Sequence, residues 1–492
     1  MRGDHPGVPL EPVAITSLSD LGGEGFSVGY IRRMAARFVN VDRNTPMLLP
    51  PDLRDWIGED DLVHFVIEAV ERLPLGVFKV NHRGTGSAQM HPHVMLSLLI
   101  YCYANGIFSS RKIERATYRD VGVRYITGDT HPDHDTICTF RRENFSAITE
   151  AFVDLLELAK SMGLLNLGQV STDGTHIKAS AAMDQNISYQ RAKTLREQLT
   201  IDIEGLLQKA DEADEAAEDP QALPEEIARL EKLKAKMDKA CAELEKRAEK
   251  RSEEARKAYD EKVAIRRKKA EEGKPVTGAD PKPPKSAQEL ADGSNETVNL
   301  TDPDSRVMRK NARSSYTQSL NCQINVDADG SGLIVGQHTT QSASDINQLI
   351  PAMGSIPPVL GQPARVLVDA GYLNGKAIET IEGDGIEVYC SAHQEDAHDE
   401  RRYDYRTPKD GEKKIRHLKD KRLVAMRDKL ATKEGKAIYK QRARTVEPVF
   451  GTIKEAIGFR GFMLRGFSKM SGEWGLVCQA FNVKRLHKLI RG

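Results

Sequence analysis

The chain has 492 residues, 39% hydrophobic and 29% charged, with a formal net charge of +0. That length excludes one ordinary domain and predicts two or three, and the apolar share suffices for packed cores beside long solvated faces. The balanced total excludes no class of partner, because distribution carries that information, and Arg and Lys are dense over residues 401–444. The six cysteines are scattered with no CxxC pair, which predicts reduced, structural thiols. The start, MRGDHPGVPLEP, is polar and Pro-rich, and the longest apolar run, Val94 to Ala104, is too short to span a bilayer. A soluble, cytoplasmic chain with no membrane partner is expected.

Residues 1–49 read as a loosely ordered arm. From 50 to 165 the pattern is helical: LVHFVIEAVERL (62–73) and HVMLSLLIYCYANGI (93–107) carry apolar residues at helical spacing. Ser109 and Ser110 are placed to cap the following RKIERATYRD helix. A Pro-Asp turn at 132–133 leads into HDTICTFRRENF and a longer apolar helix over 145–164. This all-helical domain is of a size to present one helix to DNA.

At Gly168 the pattern changes to strand alternation in GQVSTDGTHIKASA. Residues 188–271 are then almost wholly Glu, Lys, Ala, Arg and Leu. In their second half Ile227, Cys241 and Ala248 fall at one heptad position and Leu230, Met237 and Leu244 at the other, and DPQALPEE (219–226) separates two halves. The reading is an antiparallel helical hairpin, a coiled coil, with a Pro/Gly-rich return over 273–297, so that 188–297 is an insertion. LNCQINVDADGSGLIVGQHTTQ (320–341) reads as two strands of a hairpin, DINQLIPAMGSI as a helix, ARVLVDAG as a buried strand, LNGKAIETIEGDG as a helix and IEVYCSA as another strand. A meander followed by strand-helix alternation predicts an α/β mixed sheet flanked by helices, built from 166–187 and 298–492.

Three carboxylates stand out. Asp173 and Asp369 end short apolar runs, and Glu447 opens a basic amphipathic stretch. An Asp before Gly174 is also a common turn residue, and Asp369 could simply cap the next helix. A charge directly after VLV is nevertheless expected to be buried, and a buried carboxylate needs a partner or a cation. Pro448 suits a first helical turn, which puts Glu447 at or just before a helix start. Lys454, seven residues on, would then share its face. Strands carrying the two aspartates can be neighbours, with the Glu447 helix packed against that edge. Hard oxygen ligands converging from several elements are what a Mg²⁺ pair requires.

The pieces TDGTHIKA, VLVDAGY and YKQRARTVEPVFGTIK (439–454) together resemble the bacterial insertion-sequence transposases of the DDE class, whose catalytic domain is RNase H-like. The last piece is similar to that family's Tyr-Arg-Glu-Lys signature. The Tyr439-to-Arg442 and Glu447-to-Lys454 spacings match, while Arg442 stands one residue too far from Glu447, so Arg442 and Arg444 both remain open as the family's Arg. The resemblance spans about Pro50 to Leu489. It implies catalytic and metal-binding roles for Asp173, Asp369 and Glu447, two Mg²⁺ ions with Mn²⁺ able to substitute, and DNA contacts from Tyr439, Arg442, Arg444 and Lys454. It further implies cleavage at the element's terminal inverted repeats, strand transfer into target DNA, a homodimer at synapsis and association with the bacterial nucleoid. A catalytically inactive, DNA-binding descendant of such an enzyme is the alternative. No Cys lies in YDYRTPKDGEKKIRHLKDKR, which argues against a zinc site there.

Other candidates have plainer readings. His91, His93, His131 and His134 flank prolines and read as turn residues. His393 and His398 lie among acids in a solvated loop. His338 ends a strand near the carboxylates, and Arg313 and Tyr316 precede the hairpin, where a DNA contact and a loop role are equally open.

Overall fold

The computed structural model describes residues 52–80, 89–215, 223–273, 275–276, 279–309, 313–391 and 420–491. The expected arm at 1–49, His393, His398 and the 401–419 part of the basic segment lie outside the described residues.

Among the described residues, six α-helices precede the sheet: α1 (Leu62–Glu71), α2 (Pro92–Ala104), α3 (Ser110–Arg119), α4 (Val121–Thr127), α5 (His134–Glu143) and α6 (Phe145–Ser161). Local chemistry sets their ends. Asp61, Asp120 and Asp133 accept backbone N–H groups at the starts of α1, α4 and α5, and Gly128, at φ +56°, stops α4 in the left-handed conformation. Ser109 occupies the N-cap of α3 but makes no side-chain cap bond. His93 belongs to the first turn of α2, where its ring bonds the Leu73 carbonyl at 2.9 Å, rather than to a turn.

Strand β1 (Gln169–Lys178) begins the sheet, followed by the short β2 (Asn186–Ser188). The insertion then leaves as α7 (Tyr189–Glu215) and α8 (Leu223–Glu271) and returns through α9 (Ala287–Asp292) and β3 (Thr297–Asn299). Helices α7 and α8 pack on each other, and the predicted seam of α8 is buried at Met237, Cys241, Leu244 and Ala248. With Tyr189, Ala192 and Leu199 of α7 these form a core of their own, closed at the base by Ile187 and Val298. There β2 pairs antiparallel with β3, Ser188 opposite Thr297.

The chain rejoins the main sheet at β4 (Arg306–Met308), β5 (Thr317–Asp327) and β6 (Ile334–Thr340), continues through α10 (Leu349–Gly354), β7 (Arg365–Val368), α11 (Gly375–Gly383) and β8 (Glu387–Cys390), and ends in α12 (Lys421–Ala431), α13 (Lys433–Tyr439), α14 (Gln441–Gly451) and α15 (Phe467–Arg491). The sheet order is β4-β5-β1-β7-β8, with β6 also paired to β5. Strands β1, β5 and β6 run antiparallel, whereas β1, β7 and β8 run parallel. This mixed sheet with helices around it is the expected α/β, RNase H-like architecture. The three-residue strands β2, β3 and β4 were not anticipated, because three residues are too few to show alternation.

Helix α15 is the spine of the molecule. It packs on α1, α2, α6 and β6, and the same hydrophobic cluster runs from Val63 through the sheet to Leu486. Gly472 permits the closest approach, since a Cβ there would strike the Phe145 ring of α6. A wholly buried ion pair reinforces the contact. Arg141 of α5 donates to the Tyr103 hydroxyl at 2.7 Å, Tyr103 donates to Glu473 Oε1 at 2.6 Å, and Glu473 Oε2 accepts the backbone N–H groups of Met463 and Leu464 at 2.9 and 3.0 Å. The segment so held crosses β1, where Phe462 N donates to Lys178 O at 2.8 Å.

Candidate active site

Parallel pairing brings the two aspartates side by side. Ser171 of β1 is in register with Leu367 of β7, and Asp173 and Asp369 each lie two residues further on. Past Val368 strand β7 stops, and Asp369 Oδ1 accepts Gly371 N at 2.8 Å to cap a short turn, Ala370–Tyr372. The capping role expected as its plain alternative is therefore real, but it uses only one of the two oxygens.

The other oxygen meets Arg442. Helix α14 packs across β1, and Arg442 Nη2 sits 2.9 Å from Asp173 Oδ2 and 3.8 Å from Asp369 Oδ2. The guanidinium is buried, and its Nε has no hydrogen-bond partner. Burial pulls its pKa down, but the two aspartates, with Tyr439 and Glu447, hold it above its ordinary value. Burial pushes the Asp173 carboxyl up to about 7, against the opposing pull of Arg442 and with further upward push from Asp369 and Asp345. Asp369 is raised for the same leading reason. Two crowded carboxylates thus share one positive centre. Oxygen donors from two elements converging on a cation are the donor set that a hard divalent ion accepts.

Helical phase separates the two arginines that spacing left open. Arg442 faces the aspartates, whereas Arg444 is exposed and lines a cavity of about 950 Å³ on another side of α14, together with Pro448, Phe481, Lys484, Arg485 and Lys488. Glu447 is exposed on α14, and its charge is felt at Arg442. It stands in the middle of the helix rather than at its start, because Pro448 lies inside α14. The proline leaves the Arg444 carbonyl without its helical donor, and both residues are exposed to solvent, which lessens the cost. A π-helical turn, Thr452–Ala456, follows and carries Lys454, whose ammonium bonds Thr175 Oγ1 on β1. Tyr439 ends α13 beside Arg442. Among the described residues no three His, Cys, Asp or Glu side chains come close enough to hold a metal ion. The geometry therefore joins Asp173, Asp369 and Arg442 directly, with Glu447 and Lys454 on the flanking helix and turn.

Sequence reasoning missed Asp345. It lies between β6 and α10, and its Oδ1 accepts Asn321 Nδ2 at 2.8 Å and Gln323 Nε2 at 2.6 Å. Its charge acts on both Asp173 and Asp369. The only signal available was an acid in a polar loop, SASDINQ. Three further candidate histidines bond within the protein. His131 bonds Thr117 at 3.0 Å, His134 bonds Glu114 at 2.9 Å, and His338, inside β6, bonds Gln348 at 3.1 Å. Tyr316 is exposed, with the Arg309 guanidinium 4.9 Å from its ring centre.

Two family models match the chain. The Transposase DDE domain covers residues 290–483, which includes Asp369 and Glu447 but begins after Asp173 and the helical insertion. A transposase domain covers residues 51–143, which include helices α1 to α5. No curated protein and no solved structure matches. No helix among the described residues is long and apolar enough to cross a membrane. Both matched models are transposase domains, they occur in the expected order, and a mixed sheet bearing paired aspartates lies between and within them: together the two matches indicate an insertion-sequence DDE transposase.

Proposed function

We propose that this transposase binds the terminal inverted repeats of its element, hydrolyses a phosphodiester at each end and joins the freed 3′-OH to target DNA. The observation that carries this reading is the convergence of Asp173 and Asp369, from neighbouring parallel strands, on a single guanidinium nitrogen. Asp173, Asp369 and Glu447 are the proposed metal ligands. When bound, a pair of Mg²⁺ ions, or Mn²⁺ in their place, would activate the attacking oxygen and stabilise the leaving one. Arg442, beside the paired carboxylates, would orient the scissile phosphate. Lys454, steadied by Thr175, would hold a neighbouring phosphate. Tyr439 and Arg444 would contact DNA along the same helices. No covalent protein intermediate is required, since water attacks first and the 3′-oxygen next.

The helices before the sheet supply DNA contact in this reading. Helix α3 buries Ile113, Ala116 and Thr117 while Arg111, Lys112, Arg115 and Arg119 stay exposed, a face suited to phosphates. Two copies of the chain would hold the two ends at synapsis. The α7–α8 pair would act as a coiled-coil arm.

The test is Mg²⁺-dependent cleavage of a duplex carrying the element's own inverted repeats, with Asp369→Asn as control. Wild-type 3′-OH ends that join to target, absent in the variant, are the expected result. Tight end binding without cleavage by either protein would instead favour the inactive, DNA-binding alternative.

A further inference from the structure

Helix α8 outruns its partner. Tyr189, at the start of α7, donates to Glu245 at 2.7 Å, and Arg196 stands 3.9 Å from Asp238, so α7 runs back along the first half of α8. At its middle α8 is tied to the base of the insertion, where Arg247 and Arg251 both pair with Glu296, at 3.2 and 2.9 Å. From Ser252 it continues to Glu271, about 30 Å of further helix. The returning chain lies beside that stretch. Arg266 Nη1 donates to Ala279 O at 3.1 Å and Nη2 to Asp280 Oδ1 at 2.9 Å, and Ser252 Oγ donates to Lys285 O at 3.1 Å. The insertion is therefore a bar with two ends rather than a single hairpin.

The two ends differ in charge. The passage from α7 to α8 reads DEADEAAED (211–219), with no Lys or Arg, whereas the far end of α8 reads KVAIRRKK (262–269), with no Asp or Glu. In the first half of α8 cations pair with acids one turn away, as Arg229 does with Glu226 and Arg247 with Glu243. At the far end Arg266 pairs with Asp280. Lys262, Arg267, Lys268, Lys269 and, on the returning chain, Lys282 are exposed and form no ion pair among the described residues. Asp260, Glu261, Glu271 and Glu272 flank the basic run but do not interrupt it. Lys262 and Lys269 each lie one turn from Arg266, where like charges destabilise a helix. The helix carboxyl end favours cations in its last turn, which accounts for Lys268 and Lys269 only. Lys262, Arg266, Lys269 and Lys282 instead border a cavity of about 630 Å³, together with Tyr259 and Ile265. Three of these charges follow one another along about 10 Å of a single helix face, and a nucleic-acid backbone offers anions at short, regular intervals.

We propose that this end of α8, with Lys282, grips the phosphate backbone of duplex DNA as an additional, sequence-independent contact. It rests on the reading above that the chain acts on DNA. The measurement is the affinity of the full chain for a duplex bearing the element's inverted repeat, by fluorescence anisotropy, over a series of KCl concentrations. Lys262→Gln, Arg267→Gln, Lys268→Gln and Lys269→Gln combined should flatten the slope of log affinity against log salt by about 3, and weaken binding on the order of a hundredfold. Lys262→Gln with Lys282→Gln, both outside the last turn of α8, should flatten it by about 2 with helical content unchanged by circular dichroism. Lys232→Gln, Lys236→Gln, Lys239→Gln and Lys246→Gln combined remove the same charge from the first half of α8 and should leave slope and affinity as in wild type. A wild-type slope in both far-end variants would overturn the proposal and leave those cations as counter-charges to the helix terminus. An equal fall in the first-half variant would overturn it too, since net charge alone would then set the affinity. In both cases a wild type that binds and cuts the duplex keeps the transposase reading. A wild type that binds no duplex overturns that reading and this proposal with it.

Discussion

At the scale of single residues, charge removal tests the site most directly. Asp173→Asn, Asp369→Asn and Glu447→Gln should each lower end cleavage by roughly a hundredfold or more, the order of loss seen when one charge-stabilising group is removed. End binding in gel-shift assays should hardly change. Wild-type cleavage by any one of them removes that residue from the site. The Asp173 carboxyl, raised to about 7, adds a pH dependence. A ligand carboxyl must lose its proton, so divalent affinity should fall up to about tenfold per pH unit below 7 and level off above 8. For stability the sign is opposite to that of an acid whose ion pair outweighs its burial, because burial outweighs Arg442 here. The folded protein holds this proton more tightly than the unfolded chain, so the contribution is full below the ordinary 3.8 and is lost as pH rises through about 7. Without metal, Asp173→Asn should therefore gain on wild type in melting temperature between pH 5 and pH 8; parallel curves would contradict the raised value. These aspartates were legible because apolar runs ended in acids. Arg442 was legible only as one of two, since the choice depends on helical phase against β1. Asp345 was invisible because its role comes from long-range contact with β5.

At the scale of elements, strand ends and helix faces place the chemistry, and close helix packing holds them. Gly472 lets α15 lie against α6 at Phe145. Gly472→Ala should cost about 1–3 kcal/mol by overpacking, read as a lower denaturant midpoint at unchanged slope; an unaltered midpoint would mean that α6 yields freely. The long strands and helices were legible from periodicity, which needs several residues to declare itself. The position of Pro448 was not, because solvent exposure allows a proline where local rules predict a helix start. Glu473 also escaped notice. It is an acid within an otherwise apolar stretch of α15, a signal whose meaning depends on Arg141 and Tyr103 arriving from more than 300 residues away.

At the scale of the molecule, Asp52–Gly492 form one compact unit, with two hydrophobic cores among its described residues. The first unites the N-terminal helices with the sheet through α15, and the second belongs to α7 and α8. Deleting 52–165 should leave α15 uncovered and give an aggregating or molten product by circular dichroism and dye binding. Replacing Tyr189–Glu296 with a two-residue turn should instead preserve one cooperative melting transition, because Ser188 and Thr297 already face each other in a ladder. If the second deletion unfolds the protein, the cores are not independent. That ladder also bears on how such a gene can change. An insertion whose two ends sit a single strand spacing apart, about 4.8 Å, behaves as a cassette. Lengthening, shortening or exchanging it should leave the register of every other strand in the sheet in step.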